Sequence, residues 1–256
     1  MAAERILAVT GGASGIGLAV AEAALAEGGW RVAVADRDAV ALAAAEERLG
    51  ADRAAFAALD VTEEAAVEAW IAGLSGGGGG RLLGLVTAAG IAADMPALDT
   101  PAALFRRILE VNATGTFLCA RAAGRAMRDH GGGGAIVTIA SVSGLRGGKG
   151  RVAYGASKAA VVNMSQVLAV DLAPFGIRVN ALCPGPVDTP LVARMQGPAD
   201  RAQWHRQLPM RRYGRPEEIA AMVLVLLDEA RSSYVTGQAI AVDGGFAGAG
   251  IMPAMD

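Results

Sequence analysis

Short apolar runs alternate with longer amphipathic stretches along nearly the whole chain. Runs of this kind, bounded by glycine and polar residues, predict strands that are buried on both faces of a parallel sheet. The seven predicted strands are 6–10, 32–35, 54–59, 82–87, 135–140, 177–182 and 239–242.

The stretches between these runs are rich in alanine, and the helices that they predict are 16–27, 38–49, 63–74, 101–129, 152–173 and 216–229. This alternation predicts repeated βαβ units with right-handed crossovers. We therefore expect residues 1–256 to form one α/β domain, doubly wound around a roughly seven-stranded parallel sheet. The segment 185–216 lacks clear periodicity and is long for a connection, so we expect it to act as a substrate-binding lid.

Composition and charge narrow the classes of partner. The chain has 256 residues, 53% of them hydrophobic, and a formal net charge of −2. That length and hydrophobic content suffice for one large domain, and the interspersed charges do not favour nucleic acid or an anionic membrane. No apolar run is long enough to span a bilayer. We expect a cytoplasmic protein with small-molecule partners.

The cysteines and histidines argue against a disulfide framework and a metal site. Cys119 and Cys183 are too few for such a framework and are expected to stay reduced. His130 and His205 have no cluster of Cys, His or carboxylate residues around them in the sequence. We therefore expect no structural or catalytic metal.

A glycine-rich loop, the segment 11–17 (Gly-Gly-Ala-Ser-Gly-Ile-Gly), connects the first predicted strand to the first predicted helix. Small residues allow a tight turn and a close approach to a ligand, while the helix N-terminus offers free N–H groups to a pyrophosphate. No Gly-Lys-Ser/Thr follows, which argues against a nucleoside triphosphate. The loop residues expected to contact a dinucleotide are Gly11, Ser14, Gly15, Ile16 and Gly17.

Asp36 ends the second predicted strand, about 20 residues after the last glycine of that loop. A carboxylate there bonds the adenosine ribose hydroxyls and repels a 2′-phosphate, which favours NAD over NADP. Arg37 is the opposing observation, because a guanidinium could pair with that phosphate. Asp60 and Val61 close the third strand, where the carboxylate either contacts the adenine edge or caps the following helix.

Tyr154 and Lys158 lie four residues apart in a predicted helix, so their Cβ atoms should be about 5–6 Å apart. An ammonium beside the phenol would lower the tyrosine pKa from about 10 towards neutrality and give a general base. In isolation, the pair is also compatible with a partly buried tyrosine beside a snorkelling lysine.

Together, these motifs resemble those of the classical short-chain dehydrogenase/reductase family across nearly the whole chain. The resemblance rests on the segment 10–17, Asp60-Val61, Asn112, Ser141, Tyr154-x-x-x-Lys158 and Pro184-Gly185, in the family's order. It implies a Rossmann fold that binds a nicotinamide cofactor.

The resemblance also implies roles for individual residues. Tyr154 would be the acid/base, and Ser141 would hydrogen-bond the substrate oxygen. Lys158 would lower the tyrosine pKa and hold the nicotinamide ribose, while Asn112 would support a water that leads protons outward. Further residues that it places at the cofactor are Ala89, Gly90, Pro184, Gly185, Val187 and Thr189.

The chain departs from the family after the fourth strand, where many members have Asn-Asn-Ala-Gly and this chain has Thr-Ala-Ala-Gly at 87–90. The missing amides are not acid/base groups, so activity is still expected. Many NADP-dependent members have a basic residue at the position of Ser14, and its neutrality again favours NAD.

The predicted substrate pocket is mixed apolar and polar, and it involves Ser143, Leu145, Met195 and Trp204. The leading hypothesis is an NAD-dependent dehydrogenase of a secondary alcohol, polyol or hydroxy ketone. The alternatives are a 3-oxoacyl reductase using NADPH or NADH, and a catalytically idle NAD-binding scaffold. The resemblance also implies a homotetramer assembled through the predicted helices 101–129 and 152–173, and the apolar tail after Phe246 is expected to pack on a neighbouring subunit.

Overall fold

The computed structural model describes residues 4–76 and 80–248, and a seven-stranded parallel sheet forms its centre. The strands are β1 (Glu4–Thr10), β2 (Trp30–Asp36), β3 (Ala54–Ala58), β4 (Gly80–Thr87), β5 (Gly134–Ile139), β6 (Ile177–Pro184) and β7 (Ala239–Val242). Their order across the sheet is β3-β2-β1-β4-β5-β6-β7, with every neighbouring pair parallel. The predicted fold class is confirmed.

Helices cover both faces of the sheet. They are α1 (Gly15–Glu27), α2 (Ala39–Leu49), α3 (Glu64–Gly76), α4 (Ala102–Leu109), α5 (Gly115–His130), α6 (Val152–Leu172), α7 (Pro190–Met195), α8 (Pro198–Gln207), α9 (Pro216–Leu227) and α10 (Glu229–Ser232). Side chains of α1 and α9 pack against one face, and those of α3, α5 and α6 pack against the other. Burial on both faces explains the continuous apolar runs in the strands.

The predicted helix over 101–129 is two helices joined by a π-helical segment. α4 ends at Leu109, the chain winds as a π-helix over Glu110–Thr114, and α5 continues from Gly115. Asn112, in the middle of this wide turn, is fully buried. Hydrophobic periodicity does not reveal the turn, because it changes the helical phase over only a few residues.

The segment 185–216 contains the helices α7 and α8, which its lack of periodicity did not predict. Neither helix has a buried residue, so neither carries the apolar stripe that periodicity detects. Local start signals are present nevertheless. Proline stands in the first turn of both helices, and the Thr189 hydroxyl caps α7 by accepting from the Val192 N–H at 3.3 Å.

Cys119 and Cys183 are both buried, and neither forms a disulfide. Burial raises the pKa of the Cys119 thiol to about 12, which suits a packing residue. No helix in the described ranges has the length and apolar character needed to cross a membrane. The end of the tail predicted to pack on a neighbouring subunit, residues 249–256, lies outside the described residues.

The strand order determines where a ligand can bind. β1 is flanked by β2 on one side and β4 on the other, so the connections that leave β1 and β4 cover opposite faces of the sheet. A crevice forms at such a switch point, beyond the carboxyl ends of the strands. The glycine-rich loop follows β1 at this point.

Candidate active site

A cleft of about 510 Å³ opens at the carboxyl ends of the central strands. It is lined by the glycine-rich loop, by the ends of β2, β4, β5 and β6, and by α6 and α7. All the residues predicted to contact the cofactor line it: Gly11, Ser14, Gly15, Ile16, Gly17, Asp36, Asp60, Val61, Ala89, Gly90, Tyr154, Lys158, Pro184, Gly185, Val187 and Thr189. Ser141 lines it as well, whereas Asn112 lies behind the lining.

The glycine-rich loop packs more closely than side chains would permit. A Cβ added to Gly17 would lie 2.2 Å from the carbonyl oxygen of Gly11, and one added to Gly11 would lie 2.5 Å from the nitrogen of Ala89. Ser14 occupies the N-cap position of α1 but makes no side-chain cap hydrogen bond. The N-terminal amides of α1 are therefore free of a side-chain cap and suit an anionic group in the cleft.

At the far end of the cleft, the Asp36 carboxylate is oriented by two backbone amides. It accepts from the N–H of Ala13 at 3.2 Å and from the N–H of Asp38 at 3.1 Å. Asp38 in turn caps α2 by accepting from Val40 and Ala41. Two carboxylates thus stand where β2 passes into α2.

Arg37, the residue that favoured NADP in the sequence, lies beside the carboxylate of Asp60. Its guanidinium is 3.6 Å from Asp60, whose other oxygen accepts from the N–H and the hydroxyl of Thr62. Burial acts to raise the pKa of Asp60, but the Thr62 hydrogen bonds and the charges of Arg107 and Arg37 outweigh it and lower that pKa. Asp60 shapes the turn before α3, which begins at Glu64, while it also lines the cleft.

Asn112 connects the segment after β4 to α6. Its Oδ1 accepts from the Ile91 N–H at 2.8 Å, and its Nδ2 donates to the Ile91 carbonyl at 2.9 Å and to Ser157 Oγ at 3.0 Å. Ser157 then donates to the carbonyl of Tyr154 at 2.7 Å. Both Nδ2 protons are used within the protein, so the amide pins the start of α6. Support for a water by Asn112 stays a prediction.

Lys158 is buried beneath the cleft and reaches towards the sheet. Its Nζ donates to the carbonyl of Ile139 at 2.8 Å and lies 5.8 Å from the centroid of the Tyr154 ring. Burial lowers the pKa of Lys158 to about 8, and nearby Cys183 acts in the opposite direction. The ammonium is therefore held by a backbone carbonyl at the end of β5, beside the tyrosine ring.

Tyr154 is half-buried, and its environment disfavours the phenolate. Burial raises the pKa of Tyr154, which hydrogen bonding with Ser141 and the charge of Arg151 only partly offset, and Asp94 raises it further. The predicted fall of this pKa towards neutrality is wrong for the protein alone. The physical reason is that the Lys158 ammonium is held by the Ile139 carbonyl while the ring is desolvated.

Ser141 lies two residues beyond the end of β5 and is buried. Its hydroxyl accepts from the Ser143 N–H at 3.1 Å, which starts the 3₁₀ turn Val142–Gly144, and Ser141 and Tyr154 line the same cleft. Two hydroxyls that can hold one substrate oxygen are thereby brought together. This is the chemistry of proton transfer at an alcohol or a ketone.

The four residues predicted to shape the substrate pocket, Ser143, Leu145, Met195 and Trp204, do not line this cleft. Trp204 packs edge-on against Phe246, with ring centroids 5.2 Å apart. Their contact with substrate stays a prediction. Besides the predicted Gly185, Val187 and Thr189, the segment 185–216 contributes four residues of α7 to the cleft that were not predicted: Pro190, Leu191, Val192 and Arg194.

Comparisons with known proteins agree with this geometry. Residues 11–247 match the family described as enoyl-(acyl carrier protein) reductase. The chain is 42% identical over 248 residues to 2-(S)-hydroxypropyl-CoM dehydrogenase 3 of Xanthobacter autotrophicus, covering 94% of this chain and 95% of that protein. It is 43% identical over 242 residues to galactitol 2-dehydrogenase (L-tagatose-forming) of Cereibacter sphaeroides, covering 93% of each.

A solved structure supports the same assignment. A short-chain type dehydrogenase/reductase from Mycobacterium marinum superimposes with a TM-score of 0.88 at 40% identity, covering 96% of this chain and 97% of that one. The chain belongs to the classical short-chain dehydrogenase/reductase family. The resemblance seen in the motifs is confirmed.

The close packing of the glycine-rich loop generates a prediction. Gly17→Ala should weaken dinucleotide binding at least about tenfold, or about 1.4 kcal/mol, because the new methyl group displaces the Gly11 carbonyl and with it the loop. Titration of the fluorescence of reduced nicotinamide measures this affinity.

Gly73→Ala is the matched control, since a Cβ there meets nothing within 4 Å and lies on α3. It should keep the wild-type affinity and stabilise the helix by about 0.5–1 kcal/mol. Wild-type affinity in Gly17→Ala would contradict the close-approach argument.

Proposed function

We propose that this protein is an NAD-dependent oxidoreductase that interconverts a secondary alcohol and its ketone, with Tyr154 as the acid/base. The observation that carries this proposal is the meeting of Ser141, Tyr154 and Lys158 in the cleft that also contains the glycine-rich loop. The relatives named for hydroxypropyl-CoM and galactitol support a polyol, hydroxy ketone or similar substrate.

The described residues fit a nicotinamide dinucleotide. The glycine-rich loop lines the cleft, and the uncapped N-terminus of α1 suits the pyrophosphate. Asp36 would bind the adenosine ribose, and the segment from Pro184 to Thr189 would hold the nicotinamide end. When bound, the dinucleotide supplies what side chains lack, which is the ability to accept or donate a hydride.

The protein's own part of the reaction is proton transfer. Ser141 Oγ and Tyr154 Oη would hold the substrate oxygen, and Tyr154 Oη would take the hydroxyl proton in oxidation or return it in reduction. Lys158, which is held by the Ile139 carbonyl beneath the cleft, would bind the nicotinamide ribose. Asn112 would keep the start of α6, which carries Tyr154, in place.

We also propose that residues 185–216 form the substrate-binding lid. The support is that the two ends of the segment are joined to each other, while its first part, up to α7, lines the cleft. Val187 bridges to Gly214, and Asp188 donates to the carbonyl of Gly214 at 2.9 Å. At the glycine-rich loop, a Cβ added to Gly15 would be 3.4 Å from Thr189 at the start of α7.

A homotetramer built through α5 and α6 remains our proposal. Its support is the exposure of Phe117 on α5, and of Val167 and Val170 on α6, which are large apolar side chains. Light scattering that gives the mass of one chain would reject it. The cytoplasmic location expected from the sequence stays a prediction.

The preference for NAD rests on charge at the end of β2. Asp36 and Asp38 would repel a 2′-phosphate, while Arg37 lies 3.6 Å from Asp60 and is thereby partly neutralised. Asp36→Ser should raise the NADP-to-NAD ratio of kcat/KM by about tenfold or more, because one repulsive charge is lost and Arg37 remains. Steady-state kinetics with both cofactors measure the ratio, and an unchanged ratio would contradict this account.

The function itself is tested by the absorbance of reduced nicotinamide. Wild-type protein is assayed with NAD and a panel of secondary alcohols, polyols and hydroxy acids, beside Tyr154→Phe. Turnover is expected in the wild type, and Tyr154→Phe should lower kcat about a thousandfold while NAD affinity changes less than about twofold.

Other outcomes identify the alternatives. Binding of NAD without turnover on the panel would favour the scaffold. Turnover confined to 3-oxoacyl substrates would favour the acyl reductase. If Tyr154→Phe loses NAD affinity together with activity, the role assigned to Tyr154 is unsupported.

A further inference from the structure

An ion pair that belongs to none of the motifs stands beside Tyr154. Arg151 Nε lies 2.7 Å from an oxygen of Asp94, and the guanidinium carbon of Arg151 is 5.4 Å from the centroid of the Tyr154 ring. The Arg151 side chain is only 17% exposed, whereas that of Asp94 is 41% exposed. The cation is therefore the more desolvated partner, and its field at the ring is only weakly screened by water.

The backbone fixes both members of the pair. The Met95 N–H donates to the carbonyl of Gly150 at 2.9 Å, which fastens the segment after β4 to the loop before α6. The Gly155 N–H donates to the carbonyl of Arg151 at 2.6 Å, so Arg151 is part of the first turn that carries Tyr154. The two charges thus hold their places relative to the phenol.

Other groups face this arrangement from every side. Lys158 lies behind the ring on α6, and Ser141 approaches from the end of β5. On α8 of the lid, the negative charge of Asp200 affects the pKa of Asp94. Burial raises the pKa of Asp94, Arg151 opposes that rise, and Asp200 adds to it.

We propose that Arg151 and Asp94 are a pair of positioning residues that set the charge on the Tyr154 hydroxyl, with opposite effects. Arg151 stabilises the phenolate and Asp94 disfavours it. Removal of either charge alone would therefore shift the ionisation of the hydroxyl, in opposite directions for the two residues. This rests on the proposed function, in which Tyr154 moves the proton.

A purely structural fastening of the two segments makes a different prediction. Removing either partner would then loosen the same contact, and the apparent pKa of Tyr154 would shift in the same direction in both variants. Charge control requires opposite directions, with cancellation when both charges are removed. The sign of the two shifts therefore separates the two explanations.

The experiment compares Arg151→Gln, Asp94→Asn and the double variant in the full-length protein. The first readout is the pH dependence of kcat/KM for alcohol oxidation with saturating NAD. Arg151→Gln should move up by about one unit the apparent pKa of the ascending limb, on which the rate rises with pH as Tyr154 loses its proton. Asp94→Asn should move that pKa down by about half a unit to one unit. The double variant and Arg151→Lys should stay close to wild type.

The second readout does not depend on turnover. Carbon-13 labelling of the tyrosine ζ carbon reports ionisation directly, and Tyr154→Phe identifies the Tyr154 signal among the three tyrosines. The same opposite shifts are expected there with NAD present. Arg128→Gln, which removes a cation paired with Asp129 on α5, is the matched control and should shift neither readout.

Failure of this proposal is distinguishable from failure of the proposed function. Opposite shifts in the carbon-13 signal without turnover on any substrate would support the pair while rejecting the dehydrogenase. Normal turnover with both single variants shifted alike, or with no shift, would overturn the pair. A Tyr154 signal that does not titrate in any variant below the pH of unfolding would also overturn it.

Discussion

The active-site region depends on one buried amide. Asn112 is fully buried, and its side chain binds both backbone groups of Ile91 and the hydroxyl of Ser157. A buried polar group of this kind costs stability unless it is paired, so its partners are held firmly. Through Ser157 the constraint reaches the carbonyl of Tyr154. The π-helical segment Glu110–Thr114 brings the amide to this place, at the junction of α4 and α5.

Near Asn112, the ionisable groups of the site lie in environments that disfavour their charged forms. Lys158 has an exposed fraction of only 5%, and burial lowers its pKa to about 8, while burial raises the pKa of the Tyr154 phenol. For each of the two groups, burial therefore favours the neutral form over the charged form. The charges of Arg151 and Asp94 then adjust the phenol from outside.

Features encoded by residues that are close together in the chain could be predicted from the sequence, whereas contacts between distant residues could not. The strands and the glycine-rich loop were predictable, because apolar runs, small residues and a following helix are adjacent in the chain. The direction of Lys158 was not predictable, since it depends on the Ile139 carbonyl of a strand that is distant in sequence. The same holds for the ion pair of Arg151 with Asp94, which joins two irregular segments.

The departure from the family pattern at Thr87 could be read from the sequence, but the surroundings of its side chain could not. Thr10 and Thr87 are paired at the ends of β1 and β4, and neither hydroxyl has a hydrogen-bond partner among the described residues.

The most direct test of this account is residue-resolved amide hydrogen exchange at Ile91. This amide lies in an irregular segment, and its single acceptor is the Asn112 side chain at 2.8 Å. If the buried amide pins the site, Ile91 should exchange at least about a thousandfold more slowly than an unstructured amide, as amides within β4 do. Exchange at the unstructured rate, with β4 still protected, would show that Asn112 does not hold this segment and would contradict the account.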